Sequence, residues 1–512
     1  MSMPAEHLTT TATLADLLQG FASAPALPVH GIASDSRALQ RGDLFLAVKG
    51  IGSHGLDYLQ EARAAGVCAV VWDASTGSEP DDIGVPMIAV EGLAGKLGEI
   101  ANRFYGRPSE HLEVIGVTGT NGKTTVAWML AQAIALCGQR CAYLGTLGYG
   151  VDTVGGTEGM TTPAAVALHG RLADFVQQGA VHAAIEVSSH ALDQDRVNGV
   201  RFGAAIFTNL TRDHLDYHAD MREYFETKAR LFVECEPRIR IVAVDSEYGA
   251  ELADRCPQDV VLVSTQADRA ADGRPHVFVR SLRATQHGSD VTFTSTWGDG
   301  VFTLPLPGAF NVVNAALVLA FLLKQGVPLE DSCDVMSQLS APPGRMQRVA
   351  VDTVDRSLQC MTKDGPAVYV DYAHTPDALD VALHALRAHC RGKLWCVFGC
   401  GGDRDAGKRP QMGLMAETLS DRVVVTTDNP RNEDALAIIE DIVAGMTTRD
   451  DAMVIEDRAA AIAWAVEQAG EDDVVLVAGK GHENYQDVAG SRIRFSDYAV
   501  SESALRAKGG VA

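Results

Sequence analysis

The 512-residue chain is short of several things that would assign it quickly. It has no long apolar run. The longest unbroken one is nine residues, Ala315 to Leu323, between Asn314 and Lys324, where a bilayer span needs about 20. Membrane insertion is therefore not expected. The first residues carry no basic lead followed by an apolar core, so no secretory signal is expected either. Its ten cysteines, scattered from Cys68 to Cys400, form no CxxC pair. Cys396 and Cys400 have no His or Cys pair behind them, which leaves no zinc-site spacing. Scattered cysteines in a chain of this size read as reduced thiols in a cytoplasmic protein. Positive charge is also scarce. Lys plus Arg number 43 and Asp plus Glu 66, a formal net charge of −23. A nucleic-acid binder needs a basic stripe for phosphate contacts, and an anionic membrane surface is disfavoured for the same reason. Repeats and low-complexity tracts are missing.

What is there is ordinary for a packed protein: 46% apolar and 21% charged residues, a balance that argues against disorder. The length allows roughly three or four domains. Three blocks emerge. The first ends at Tyr105-Gly106-Arg107-Pro108. The second opens on the apolar strand Leu112–Val117 and runs to the turn-rich Ala341-Pro-Pro-Gly344. The third alternates short apolar strands (Ala367–Asp371, Leu394–Phe398, Arg422–Thr426, Val474–Val477) with helical patterns (Pro376–Cys390, Glu433–Met446, Arg458–Gln468). Buried strands separated by helices predict βαβ units and a parallel sheet. Ligands bind such sheets at the strands' carboxyl ends. Polar loops follow all four strands, at 371–374, 399–404, 428–431 and 479–483.

The strongest local signal is Gly116-Val-Thr-Gly-Thr-Asn-Gly-Lys-Thr-Thr125, after an apolar strand and before a helical pattern over Val126–Leu136. A glycine-rich turn lets backbone N–H groups converge on phosphate oxygens at a helix N-terminus. Lys123 can reach the β/γ-phosphates, and the Thr124 hydroxyl can bind Mg²⁺. The match to GxxxxGK[ST] is not strict, because Val117 stands at the first position; Gly119 and Gly122 carry the turn instead. Glu186 closes a second apolar stretch, where a carboxylate suits Mg²⁺ or is simply a surface side chain. Asn209–His218 follows a third strand and offers His214 and His218 in a loop. Lys228 falls within the apolar stripe of a helical segment, Met221–Cys235. It must snorkel or lose its charge. An uncharged amine can add CO₂ to become a carbamate, an anionic oxygen ligand.

Thr118–Thr125, Glu186-Val-Ser-Ser-His190 and Asn209–His218, in this order, resemble the ATP-dependent Mur ligase family. Asp371-Tyr-Ala-His-Thr-Pro-Asp377 and Asp428-Asn-Pro-Arg431 narrow the resemblance to members that add meso-2,6-diaminopimelate to UDP-N-acetylmuramoyl-L-alanyl-D-glutamate, in peptidoglycan precursor synthesis. The resemblance covers essentially the whole chain. It implies an α/β fold of three domains: residues 1–108 for the UDP-substrate, 109–347 as a central P-loop ATPase-like domain with a parallel or mixed sheet, and 348–512 as a Rossmann-like amino-acid domain.

The resemblance also implies site residues. Gly119, Thr120, Asn121, Gly122, Lys123, Thr124 and Thr125 would bind ATP, with Asn311, Asn314 and Arg345. Ser34, Ser36, Ile51, Gly52 and Ser53 would meet the uridine diphosphate; Thr161, Thr162, Ser188, Gln194 and Arg196 would meet the muramoyl-peptide arm. Thr124 and Glu186 would hold one Mg²⁺, His214 and a carbamylated Lys228 (N6-carboxylysine) a second. Arg404, Asp428, Asn429, Pro430, Arg431, Gly479 and Glu483 would form the diaminopimelate site. Here Arg431 suits the distal carboxylate and Glu483 an ammonium. Lysine-adding members lack Arg at the position of Arg431, which selects the diaminopimelate reading over lysine addition. Two further alternatives are a folylpolyglutamate synthetase, which shares the ATP chemistry, and a non-catalytic nucleotide-binding regulator. The expected partners are small molecules only, and a monomer is expected.

Overall fold

A computed structural model describes residues 12–50, 52–77, 80–156, 159–270, 272–286, 288–350, 365–448 and 452–509. The chain groups into two compact units. The first comprises the chain to Val263, with Ala271–His276 and Ala320–Lys324; the second comprises Ser264–Ala270, Val277–Leu319 and the chain from Gln325.

In the first unit, β1 (Gly31–Ala33), β2 (Asp43–Ala47), β3 (Ala69–Asp73) and β4 (Met87–Val90) form a parallel sheet in sequential order. Leu44 and Leu46 face one apolar cluster and Phe45 and Ala47 another. Both faces are thus covered, as a parallel sheet requires.

The larger sheet of this unit uses β5 (Glu113–Thr118), β6 (Cys141–Gly145), β7 (Gly148–Val151), β8 (His182–Glu186), β9 (Phe202–Phe207), β10 (Ile239–Ala243) and β11 (Val261–Ser264), in the order β11-β10-β9-β5-β8-β6-β7. All pairs are parallel except β6–β7. The first strand of the motif therefore sits between the strands of the other two. Register pairs Val117 with Glu186 and Thr118 with Phe207. The loops after β5, β8 and β9 leave the sheet side by side, where chain order switches and ligands bind. Helix Lys123–Leu136 starts three residues earlier than the apolar pattern suggested, with Gly122 as its N-cap. Helix Met221–Val233 begins at Asp220, whose carboxylate accepts from the Arg222 and Glu223 N–H groups.

In the second unit, β12 (His276–Thr285), β13 (Gly288–Ser295) and β14 (Gly300–Leu304) pair antiparallel. The apolar run Ala315–Leu323 lies in helix Ala309–Lys324 and is buried throughout. Among the described residues no helix is long and apolar enough to cross a membrane. The C-terminal sheet contains β15 (Gln347–Arg348), β16 (Ala367–Asp371), β17 (Leu394–Phe398), β18 (Arg422–Val425), β19 (Ala452–Val454) and β20 (Val474–Ala478), in the order β15-β16-β20-β17-β18-β19. Only β15 is antiparallel. Apolar clusters cover both faces, as expected for a doubly wound sheet. Of the helices between, Arg458–Gln468 has the expected bounds and the other two are a little shorter than their apolar patterns. One runs Ala435–Ala444 because Asp434 caps it, accepting from the Ala437 N–H; another ends at Arg387, not Cys390. A separate hairpin, β21 (Tyr485–Val488) and β22 (Ser491–Arg494), follows β20.

Candidate active site

The loop after β5 turns on Gly119 (φ 148°) and Gly122 (φ 87°). A Cβ on Gly119 would lie 1.9 Å from the Thr208 Oγ1, so only glycine fits between β5 and the start of the loop after β9. One expectation needs correction. The N–H groups of the loop do not all face a phosphate. Thr120 N donates to Asn209 O at 2.9 Å and Asn121 N to the Asn209 Oδ1 at 3.0 Å. Asn209 thereby stitches the first half of the loop down, so a phosphate would have to be met by the turn at Gly122 and the N–H groups opening the helix. Lys123 folds back on the loop, its Nζ donating to Gly119 O at 2.9 Å and Thr120 O at 2.8 Å. Thr125, in the same first turn, is buried.

Glu186 is the hub of the first unit. It is fully buried, not a surface carboxylate. Its Oε2 accepts from the Thr124 hydroxyl at 2.9 Å and the Thr146 hydroxyl at 3.2 Å. Its Oε1 accepts from the Tyr143 hydroxyl at 2.7 Å and from Thr146 N at 2.8 Å. The network continues to the residues expected at the peptide arm. The Thr161 and Thr146 hydroxyls lie 3.3 Å apart. The Thr162 hydroxyl donates to Glu186 O at 2.7 Å and accepts from Ser188 N at 3.1 Å. Arg196 Nη1 donates to Thr162 O at 2.9 Å, and its Nε and Nη2 donate to the Gln194 Oε1. Half-buried, Arg196 has its pKa lowered, by desolvation. Thr161, Thr162, Ser188, Gln194 and Arg196 thus form one connected group with Thr124 and Glu186.

Beside this lies a histidine and lysine cluster. Lys228 is 1% exposed. Its Nζ donates to Gly119 O at 2.9 Å and sits 4.7 Å from the centre of the Tyr224 ring. Burial, and then the nearby Lys123, push its pKa well below that of a free lysine. It does not snorkel. The His214 ring lies 5.9 Å from the Tyr224 ring and 5.1 Å from that of His190, and His214 itself adopts a left-handed φ of 54°. A hydroxyl, a buried carboxylate, a histidine and a lysine amine whose charged form burial disfavours would fit two Mg²⁺ ions once the amine carried CO₂, because Mg²⁺ prefers oxygen. Among the described residues no three His, Cys, Asp or Glu side chains cluster as a metal site.

The residues expected at the uridine diphosphate have local contacts. Asp35, between Ser34 and Ser36, accepts from Arg37 N and pairs with its guanidinium. Ser53 accepts from the Tyr58 hydroxyl at 3.0 Å, and Gly52 is exposed. Ile51 lies outside the described residues.

In the second unit, the loops after β16, β17, β18 and β20 converge. Asn429 donates through Nδ2 to the Glu483 Oε2 at 2.8 Å, while its Oδ1 accepts from the Lys480 Nζ at 2.8 Å. Lys480, fully buried, also pairs with Glu483 at 3.3 Å. Glu483, expected to bind a substrate ammonium, is already tethered to Asn429 and Lys480. Asp428 is buried, and burial raises its pKa while Arg458 and Lys480 oppose the rise. Its Oδ2 would be 2.4 Å from a Cβ on Gly479, whose φ is 120°. Arg431 has φ 51° and donates through Nη1 to Gly402 O at 2.5 Å. Gly401 lies between Arg431 and the exposed Arg404: a Cβ there would meet Arg431 Nη1 at 2.9 Å and Arg404 Cγ at 3.8 Å. Arg345 stacks 4.7 Å over the Tyr372 ring, beside Asp371, whose pKa burial raises. Asn311 and Asn314 are buried on helix Ala309–Lys324, 3.4 Å apart through Nδ2 and Oδ1.

Sequence reasoning missed Tyr143, Thr146 and Lys480. Tyr143 lies in the middle of β6 and Thr146 directly follows it, and neither stands in a motif. Lys480 had a signal, an internal cation in a loop following a strand.

Comparison with known proteins agrees with this geometry. Residues 28–105 match the domain described as the Mur ligase family catalytic domain, 117–322 the Mur ligase middle domain and 356–481 the Mur ligase glutamate ligase domain. A relative from Haemophilus influenzae (strain PittGG), named UDP-N-acetylmuramoyl-L-alanyl-D-glutamate–2,6-diaminopimelate ligase, is 43% identical over 486 residues, covering 94% of this chain and 97% of its own. The chain belongs to the Mur ligase family. A relative of the same name from Pseudomonas aeruginosa is 44% identical, with 94% and 96% of the two chains covered. A solved structure of a ligase of this name superposes with a TM-score of 0.72 at 33% identity, over 97% of this Mur ligase and 99% of that chain.

Proposed function

We propose that this Mur ligase joins the D-glutamyl carboxyl of UDP-N-acetylmuramoyl-L-alanyl-D-glutamate to an amine of meso-2,6-diaminopimelate, converting ATP to ADP and phosphate. The observation that carries the reading is the continuity at Glu186. One buried carboxylate accepts from Thr124 of the phosphate loop, and its own carbonyl accepts from Thr162 of the peptide-arm group. A phosphoryl donor and a carboxylate acceptor could thus be bound around a single residue.

A carboxylate is a poor electrophile, being anionic and without a good leaving group. Transfer of the γ-phosphoryl to it gives an acyl phosphate. The amine then adds to the acyl carbon, loses a proton, and phosphate departs. Catalysis of this kind rests on positioning and charge neutralisation. Lys123 would leave the loop carbonyls for the phosphates, while the N–H groups opening its helix receive them. Arg196 would orient the UDP-peptide, with Thr161, Thr162, Ser188 and Gln194. Thr124 and Glu186 would hold one Mg²⁺, His214 and Lys228 the other. Mg²⁺, when bound, offsets the charge of the meeting anions. For Lys228 to serve, its uncharged amine forms an N–C bond to CO₂ and releases one proton to solvent. Arg431 and Arg404 would take the distal carboxylate of diaminopimelate, with Asp428, Asn429, Pro430, Gly479 and Glu483 around the rest. Asn311, Asn314 and Arg345 are carried as nucleotide contacts, and Ser34, Ser36 and Ile51–Ser53 as uridine diphosphate contacts, on the family resemblance. The matched domains support division near residues 108 and 347.

An ATP-consumption assay with the UDP-muramoyl-dipeptide tests the reading. Turnover should require meso-diaminopimelate. Equal rates with L-lysine, or with no amino acid, would overturn it.

A further inference from the structure

The segment Asp428–Arg431 is held from two sides. On one side are Gly401 and Gly402. A Cβ on Gly402 would meet Pro430 O at 2.0 Å. Gly402 N donates to Asn429 O at 2.9 Å, and Arg431 Nη1 donates back to Gly402 O. On the other side lies the first strand of hairpin β21–β22. Gln486 Nε2 donates to Asp428 O at 3.0 Å and to the Thr427 hydroxyl at 3.3 Å. Asp487 N donates to the Asn429 Oδ1 at 3.0 Å. Arg431 N donates to Asp487 O at 2.9 Å, and Ala489 N donates to Arg431 O at 2.7 Å. Arg431 and Val488 form a parallel bridge. The hairpin therefore bonds to Thr427, Asp428, Asn429 and Arg431 of the segment.

The contact matters most at Arg431. Its φ of 51° is a left-handed conformation that non-glycine residues seldom adopt. Such a residue persists where its surroundings over-determine it. Here both backbone polar groups of Arg431 go to the hairpin. The direction in which the guanidinium leaves the chain is thus set by β21, which itself contains none of the residues assigned to a substrate.

We propose that hairpin β21–β22 sets amino-acid selectivity through Arg431, with Gln486 as its positioning residue. This rests on the reading of Arg431 as the partner of a distal carboxylate. Gln486→Met keeps the side-chain length and removes the donor. It is expected to raise the KM for meso-diaminopimelate about three- to tenfold, the effect of one or two neutral hydrogen bonds. The preference for diaminopimelate over L-lysine should fall by a similar factor, with the KM for ATP and for the UDP-dipeptide unmoved. The decisive measurement is a double-mutant cycle with Arg431→Ala. If Gln486 acts through Arg431, Gln486→Met has no further effect on diaminopimelate use in the Arg431→Ala background. Additive losses, or an unchanged KM in Gln486→Met, overturn the proposal. If Gln486→Met unfolds the protein, the same cycle is run with Gln486→Glu, which keeps the shape and replaces the amide donor with an acceptor facing Asp428 O, read against the same two criteria. An Arg431→Ala protein that keeps its preference for diaminopimelate would refute the underlying reading of Arg431, a result separable from either outcome of the cycle.

Discussion

Thr124 and Glu186 share a hydrogen bond of 2.9 Å between two side chains that lie 62 residues apart in sequence. Neither is exposed by more than 8%. The pair exists because β5 and β8 are neighbours in the sheet and end in register. Glu186→Gln keeps the shape and removes the charge. Activity is expected to fall at least about tenfold to a hundredfold, as for other metal-site partners. The Mg²⁺ concentration for half-maximal rate should rise. An unaltered Mg²⁺ dependence would detach Glu186 from the metal.

Gly119→Ala is a test of the loop's geometry. The new methyl group would meet Thr208 and the Asn209 backbone, at a φ of 148°. ATP affinity should drop sharply while the circular dichroism spectrum stays native. Calorimetric titration with a non-hydrolysable ATP analogue reads this directly.

Lys228→Ala should abolish turnover, and bicarbonate should not restore it, because no amine remains to carry CO₂. Near-normal turnover in the variant would end the carbamate reading.

Arg431→Asn is expected to weaken diaminopimelate use by about 1.5–3 kcal/mol, the range for a hydrogen bond to a charged group. ATP affinity should hold. Equal losses in both would point to misfolding.

His169 contributes to the acid dependence of stability. It is fully buried on helix Ala165–Gln177, and its Nε2 donates to Asn198 O at 2.9 Å. Burial holds its pKa below the ordinary 6.5. The unfolded chain therefore takes up the proton first as pH falls. Stability from this group is present above 6.5 and is lost as pH drops toward the folded value. Thermal melts between about pH 7 and about pH 5 should slope less steeply in His169→Gln, which keeps a donor and does not titrate. Parallel slopes would assign the dependence elsewhere.

Much of the fold was legible because parallel strands buried on both faces are continuous apolar runs. Ala367–Asp371 and Leu394–Phe398 were located to the residue. Helix ends were less so, since capping and not apolar content sets them, as Asp434 does before Ala435. Residues whose chemistry stands in a motif, such as Lys123 and Glu186, could be singled out. Tyr143 and Thr146 could not, because their place beside Glu186 follows from sheet order, which one strand's sequence does not contain. Lys228 was visible as a charge in an apolar stripe. That Gly119 O accepts from it depends on packing between a helix and a loop some hundred residues earlier.

That carbonyl oxygen has a further consequence. Gly119 O accepts from Lys123 and from Lys228, each at 2.9 Å, so two amines meet at one atom. Any ligand that draws Lys123 away removes a like charge from beside Lys228 and makes its amine more basic. By thermodynamic reciprocity, the protonation state of Lys228 must change that ligand's affinity by the same factor. The two lysines are thereby coupled through a single carbonyl oxygen.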